Sequence, residues 1–116
     1  MSDQPVTRIA SFKFHPHVTP SQKGDRARAF LALYAQHKDL IIGMPKGGKP
    51  LLTPLQLKGV QRDAEWDTLF TVTFKSEEAR RAFDEEPGHD RLKEETDPLL
   101  MKVFVYDYVE EENLGW

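Results

Sequence analysis

Cysteine is absent from all 116 residues. That excludes a disulfide framework, thiolate chemistry and a Cys-based zinc site. The four histidines do not fall at the HExxH spacing of a zinc enzyme, and no GxGxxG or Walker A glycine pattern occurs. No apolar run approaches the roughly 20 residues of a membrane span. The start, Met1-Ser2-Asp3-Gln4-Pro5, has no apolar signal segment. The expectation is a soluble, cytoplasmic protein that uses no metal or cofactor and does not act at a membrane. A basic face is also lacking: net charge is −3 and Lys and Arg are scattered among acids, which argues against nucleic-acid binding. What is present is 39% hydrophobic residues, enough for a packed core in one domain over residues 1–116.

Val6 to Phe14 alternates as a strand with Arg8, Ala10, Phe12 and Phe14 on one face. Thr19-Pro20-Ser21-Gln22 is a capping box with proline at the first helical position, opening a helix expected to run to about Leu40. The Gly/Pro-rich stretch Gly43–Pro50 reads as a turn. Leu55–Val60 reads as a second strand and Thr68–Phe74 as a third. Ser76-Glu77-Glu78 caps a second helix, which Pro87-Gly88 ends, and His89–Glu95 adds one helical turn. The last strand, from Leu99 to Val109, places Leu99, Met101, Val103, Val105, Asp107 and Val109 on one face. Leu100, Phe104, Tyr106 and Tyr108 fall on the other, and residues 110–116 form a polar tail.

The order β-α-β-β-α-β is that of a ferredoxin-like α+β protomer with helices on one face of a four-stranded sheet. Both faces of the last strand are apolar, and the chain has no further element to cover the second. Two protomers packing sheet to sheet would solve this, so a homodimer is expected.

Asp107 interrupts the most apolar row in the chain. A carboxylate there costs several kcal/mol, in order of magnitude, unless a polar partner meets it. His89, after Pro87-Gly88, is the candidate. An Asp that holds a His sets the imidazole tautomer and raises its basicity. The same contact also reads as a structural staple. Arg8 reads as an anion stabiliser if its face lines a cavity, or as an edge-strand Arg paired with a surface acid. Tyr34 and His37 are neighbours on one helical face. His15 and His17 read as a solvated loop, and Trp66 as the cover of a barrel end or a dimer contact.

Ile9–Phe14, the long first helix, Phe70–Phe74, Pro87-Gly88-His89 and Val105-Tyr106-Asp107-Tyr108 together resemble the stress-responsive dimeric α+β barrel (Dabb) domain, over residues 6–109. The resemblance implies a ferredoxin-like protomer whose sheets form a barrel across a homodimer. Some such proteins are plant stress proteins. Others are cofactor-free polyketide cyclases of the olivetolic acid cyclase type, in which a His acts as general base, a Tyr assists and an Asp on the last strand supports the base. The His position is His89 and the Asp position Asp107. The Tyr position holds Phe83, a first His position holds Glu86, and the first-strand position that often carries His holds Arg8.

The resemblance therefore implies a cofactor-independent enzyme with His89 as general base beside a carbonyl, in aldol-type cyclisation, isomerisation or elimination. Asp107 would orient the base. Arg8, Phe12, Tyr34, Phe83 and Tyr106 would contact an apolar or aromatic small molecule, with Tyr34 or Tyr106 taking over the missing hydroxyl's role. The alternatives are a non-catalytic, stress-responsive ligand-binding dimer and a cofactor-free monooxygenase.

Overall fold

The computed structural model of the chain describes residues 4–63 and 65–116. Strand β1 (Val6–Phe14) leads into helix α1 (Pro20–Gln36), a short strand β2 (Lys46–Gly48) and strand β3 (Thr68–Phe74). Helices α2 (Glu77–Asp84) and α3 (Pro87–Thr96) follow, and strand β4 (Leu100–Tyr108) completes an antiparallel sheet of order β2-β3-β1-β4. The helices cover one face of the sheet. This is the ferredoxin-like α+β fold.

Local chemistry sets the element ends as the sequence leads one to expect. The Thr19 side chain accepts from the Gln22 backbone N–H while the Gln22 side chain accepts from the Thr19 backbone, and Pro20 occupies the first helical turn. Ser76 caps α2 by accepting from the Ala79 backbone N–H. Helix α1 stops at Gln36, four residues short of the expected end, and a separate 3-10 turn spans Lys38–Leu40. The expected single turn after Pro87 is a full ten-residue helix, because Pro87 starts α3 rather than only ending α2.

The second strand is not where the alternation placed it. Leu55–Val60 is exposed and forms neither helix nor strand, and the strand lies in the Gly-rich stretch read as a turn. The reason is backbone approach: a Cβ on Gly47 would stand 2.0 Å from the Leu69 carbonyl oxygen. Only glycine lets the chain come this close to β3, and a strand made by backbone contact leaves no side-chain pattern to read.

The register sets which residues share the helix-covered face. Arg8 pairs with Asp107, Ala10 with Val105 and Phe12 with Val103. A bulge between Lys13 and Phe14 then brings Phe14 opposite Leu100. Leu100 therefore joins the helix side, not the Phe104-Tyr106-Tyr108 side on which strict alternation puts it. Under the helices, Leu33, Tyr34, Val72, Phe74, Phe83 and Leu92 form the main core, and Ala10, Phe12, Phe14 and Val18 a second cluster beside it. Phe74 and Phe83 are wholly buried, 5.5 Å apart between ring centroids. Truncating Phe74→Ala is expected to cost about 3–5 kcal/mol, read as a lowered midpoint in chemical denaturation; an unchanged midpoint would contradict this placement of the core.

Candidate functional site

The end of the helix-covered face is built around Arg8. Strand β1 lies between β3 and β4, so Arg8 sits in the sheet interior rather than on an edge. Its side chain is 9% exposed. Arg8 Nε and Nη2 donate to the two carboxylate oxygens of Asp107, its cross-strand neighbour, at 2.8 and 3.0 Å. Nη1 and Nη2 donate to the two oxygens of Asp84, at 2.8 Å each. Asp84 is the last residue of α2, where the negative end of the helix dipole disfavours an acid unless a cation meets it. Arg80, one turn earlier, adds a hydrogen bond to Asp84 at 3.1 Å and lies 3.7 Å from Asp107. The guanidinium also stands 5.2 Å from the centre of the Phe74 ring.

These contacts settle the charge states. Burial opposes the charge on Arg8, but its hydrogen bonds to Asp84 and Asp107 outweigh that and hold it protonated. Burial likewise pushes the Asp84 carboxyl up, and the hydrogen bonds and charge of Arg8 more than reverse it, leaving Asp84 below the usual carboxylate range. Burial raises the Tyr34 hydroxyl to about 12, so it is a neutral donor at ordinary pH.

The expected His89–Asp107 pair is not formed. Asp107 faces the bidentate fork of Arg8, a better match for a carboxylate than one imidazole nitrogen. His89 sits in the first turn of α3 with Nε2 3.8 Å from Asp84 Oδ1, beyond hydrogen-bond length. Its Nδ1 is buried and has no hydrogen-bond partner among the described residues. The ring packs edge-on to Phe83, at 5.3 Å between centroids. Burial lowers the His89 pKa, Asp84 counters it, the Arg8 charge adds to it, and the imidazole is neutral at pH 7.

Two cavities flank an aromatic wall on this face. One, of about 420 Å³, is bordered by Arg8, Asp84, His89, Val103 and Val105. The other, about 500 Å³, lies under Pro45–Gly48 and is bordered by Phe14, Ala27 and Leu31. Phe12, Phe30, Tyr34 and Phe70 line both. Of the residues expected at a site, Arg8, Phe12, Tyr34 and His89 thus meet at the smaller cavity. Asp107 stands behind Arg8. Phe83 is fully buried, stacked on Tyr34 at 4.3 Å, and props the cavity-lining rings from behind. Tyr106 is paired with Ile9 on the opposite face of the sheet, which rules out contact with either cavity. Arg8 is not a free anion holder, because four of its N–H groups already meet carboxylates. Asp84 is the residue that sequence reasoning missed. Its signal was the i,i+4 pair with Arg80 beside the buried Phe83, a charge pair on the inner rather than the solvated side of α2.

The pattern of this fold is matched across residues 6–110 by the stress responsive A/B barrel domain. The chain belongs to that family. No curated protein matches it in sequence. Solved structures of the same fold include a dimeric ferredoxin-like protein from Thermobifida fusca, at 20% identity over 92% of each chain with a TM-score of 0.70. The hydroxynitrile lyase of Passiflora edulis shares 17% identity over 96% of this chain and 97% of its own, with a TM-score of 0.73. A variant of SnoaB, a cofactor-independent oxygenase from Streptomyces nogalater, shares 14% over 97% and 99%, with a TM-score of 0.66. At such identities the likeness is one of fold, and that fold carries more than one chemistry.

Removing Arg8 would leave two carboxylates facing each other. Arg8→Met is expected to cost about 3 kcal/mol at pH 7, and the added Asp84→Asn change to recover part of it; thermal or denaturant unfolding of the single and double variants checks both. His89 is expected to titrate below 6.5 by proton NMR, and lower still in Asp84→Asn, which removes the acid that favours its charge. Because the folded state resists this protonation, the His89 contribution to stability is complete above pH ~6.5 and lost as pH falls through the lower folded value. Titration above 6.5 would overturn this account of the site.

Proposed function

We propose that this chain is a small-molecule enzyme that works without a cofactor, and that His89 moves the proton. The observation that carries this reading is a neutral, half-buried imidazole on the wall of a cavity of about 420 Å³, while Arg8 and Asp84 beside it neutralise each other. A substrate there meets the apolar side chains of Ala10, Phe12, Phe30, Phe70, Val103 and Val105, the His89 imidazole and Tyr34, with the charged Asp90, Lys93 and Asp97 also on the lining. That suits an oxygenated, largely apolar molecule with an acidic C–H beside a carbonyl. His89 takes the proton at Nε2, the nitrogen nearer Asp84, and the imidazolium that results lies beside that carboxylate. Tyr34, neutral and facing the same space, donates to the oxygen on which negative charge develops. Asp84 thereby supplies the charge that favours the imidazolium, one part of what Asp107 was expected to do, and Asp107 and Arg80 hold Arg8 and Asp84 in place. Holding carbon and base together supplies rate without a cofactor. The lyase and the oxygenase that share the fold support cofactor-free or small-molecule chemistry of this general kind.

A second reading, a ligand-binding protein without turnover, draws on the larger cavity, whose lining holds no imidazole or carboxylate. We further propose a homodimer formed through the uncovered face of the sheet. There Phe104, Tyr106 and Tyr108 form a ladder with centroids 6.2 and 6.0 Å apart, each ring between 39% and 54% exposed. The dimeric Thermobifida fusca protein supports this assembly.

Deuterium uptake from D2O at the carbon beside the carbonyl of benzylacetone, followed by proton NMR, tests the catalytic reading without knowledge of the natural substrate. The protein is expected to accelerate uptake over buffer, and His89→Gln to lose at least about a hundredfold of that acceleration with its fold intact by circular dichroism. Equal acceleration by the variant would remove His89 from the chemistry, and binding of benzylacetone with no acceleration by either protein would favour the ligand-binding reading.

A further inference from the structure

We infer that residues 49–63 form an exchange arm that packs along β4 of a second copy of this chain and closes that copy's smaller cavity. The inference rests on the homodimer proposed above and adds what the partner contributes to the site. The arm has neither helix nor strand, and every residue in it is exposed. It nevertheless carries Leu51, Leu52, Leu55, Leu57 and Val60, whose exposures run from 47% to 99%. A segment this apolar stays in solvent only at a cost of about 25 cal/mol per Å².

Its base is fixed at the uncovered face of the sheet. Asp63 accepts from Lys102 Nζ at 2.8 Å, Lys102 lies 4.5 Å from the centre of the Trp66 ring, and Trp66 meets Phe104 at 6.3 Å. The arm is therefore continuous with the aromatic ladder through which the dimer is proposed to form.

The same chain offers an acceptor without an occupant. Strand β4 is an edge strand of nine residues, and an apolar edge left open is a hazard that proteins cover. On its helix-side face Val103 and Val105 border the smaller cavity yet are 51% and 52% exposed, because the helix layer stops short of them. The arm is net basic, with Lys49, Lys58 and Arg62 against the single acid Asp63, while β4 carries one charge of each sign, Lys102 and Asp107, and leads into Glu110-Glu111-Glu112.

Surface area points to a large contact. A folded monomer of this mass exposes about 6,500 Å², whereas this chain exposes 8555 Å². The excess, about 2,000 Å², falls in the range that one partner of an obligate dimer buries, about 1,000–2,500 Å². The radius of gyration, 15.6 Å, likewise exceeds the roughly 13.4 Å of a compact chain of this length. In a two-fold dimer one arm-to-strand contact occurs twice, so both apolar surfaces are covered by a single arrangement.

The absence of cysteine makes the test clean. A tagged Leu55→Cys variant is mixed with an untagged Val103→Cys variant, allowed to exchange subunits and treated with a short bismaleimide. The expected result is a tagged–untagged crosslinked dimer, absent when either variant is treated alone. A dimer by light scattering that gives no mixed crosslink overturns the arm and leaves the homodimer standing. A monomer by light scattering at tens of micromolar overturns both. Because Leu51, Leu52 and Leu55 are exposed, their triple replacement by serine leaves the protomer folded. It is expected to raise the dimer dissociation constant at least tenfold and to strip amide-exchange protection from residues 101–107 but not from β3; unchanged protection of β4 would also overturn the arm.

Discussion

The helix-covered end of this protein depends on one guanidinium held between two carboxylates. Arg8 comes from the sheet interior, Asp107 from the neighbouring strand and Asp84 from the end of a helix. Four hydrogen bonds tie these three elements together. The pairing satisfies charges that burial alone would make costly. It also sets the register between β1 and β4, since a slip of one residue would turn Asp107 to the other face. The same pairing fixes the end of α2, which in turn sets the start of α3 and the position of His89.

That arrangement decides what the site can do. With four of its five N–H groups on carboxylates, Arg8 is not an anion trap. The lining of the cavity beside it includes one neutral imidazole and one neutral phenol, each packed against Phe83. Where the cyclase pattern places a hydroxyl, this chain places a ring that packs. The carboxylate nearest His89 comes from a helix end rather than from the last strand. The resemblance thus holds for the fold, while the surroundings of His89 are the chain's own.

Most of the fold was legible in the sequence because its determinants are local. Alternation in Val6–Phe14 and Thr68–Phe74 marks β1 and β3 to the residue, and the Thr19 and Ser76 caps mark two helix starts. What escaped depends on contacts between distant parts. Strand β2 is made by the backbone approach of Gly47, and Leu100 changes face through a bulge set by β1. The partner of Asp107 could not be chosen without knowing that Arg8 lies directly across from it. Asp84 was hidden because nothing in the sequence alone sets it apart from the neighbouring acids Glu77, Glu78, Glu85 and Glu86.

Gly47 shows how an indispensable position need not be a chemical one. It borders the larger cavity and a smaller hollow on the other side of the sheet, and any side chain there would strike the carbonyl of Leu69. In a saturation screen scored by cell phenotype, this glycine and His89 would look equally intolerant. One would be lost through unfolding and the other, on the mechanism proposed above, through silence in a folded protein. Intolerance maps of this chain therefore acquire meaning only beside a measure of abundance.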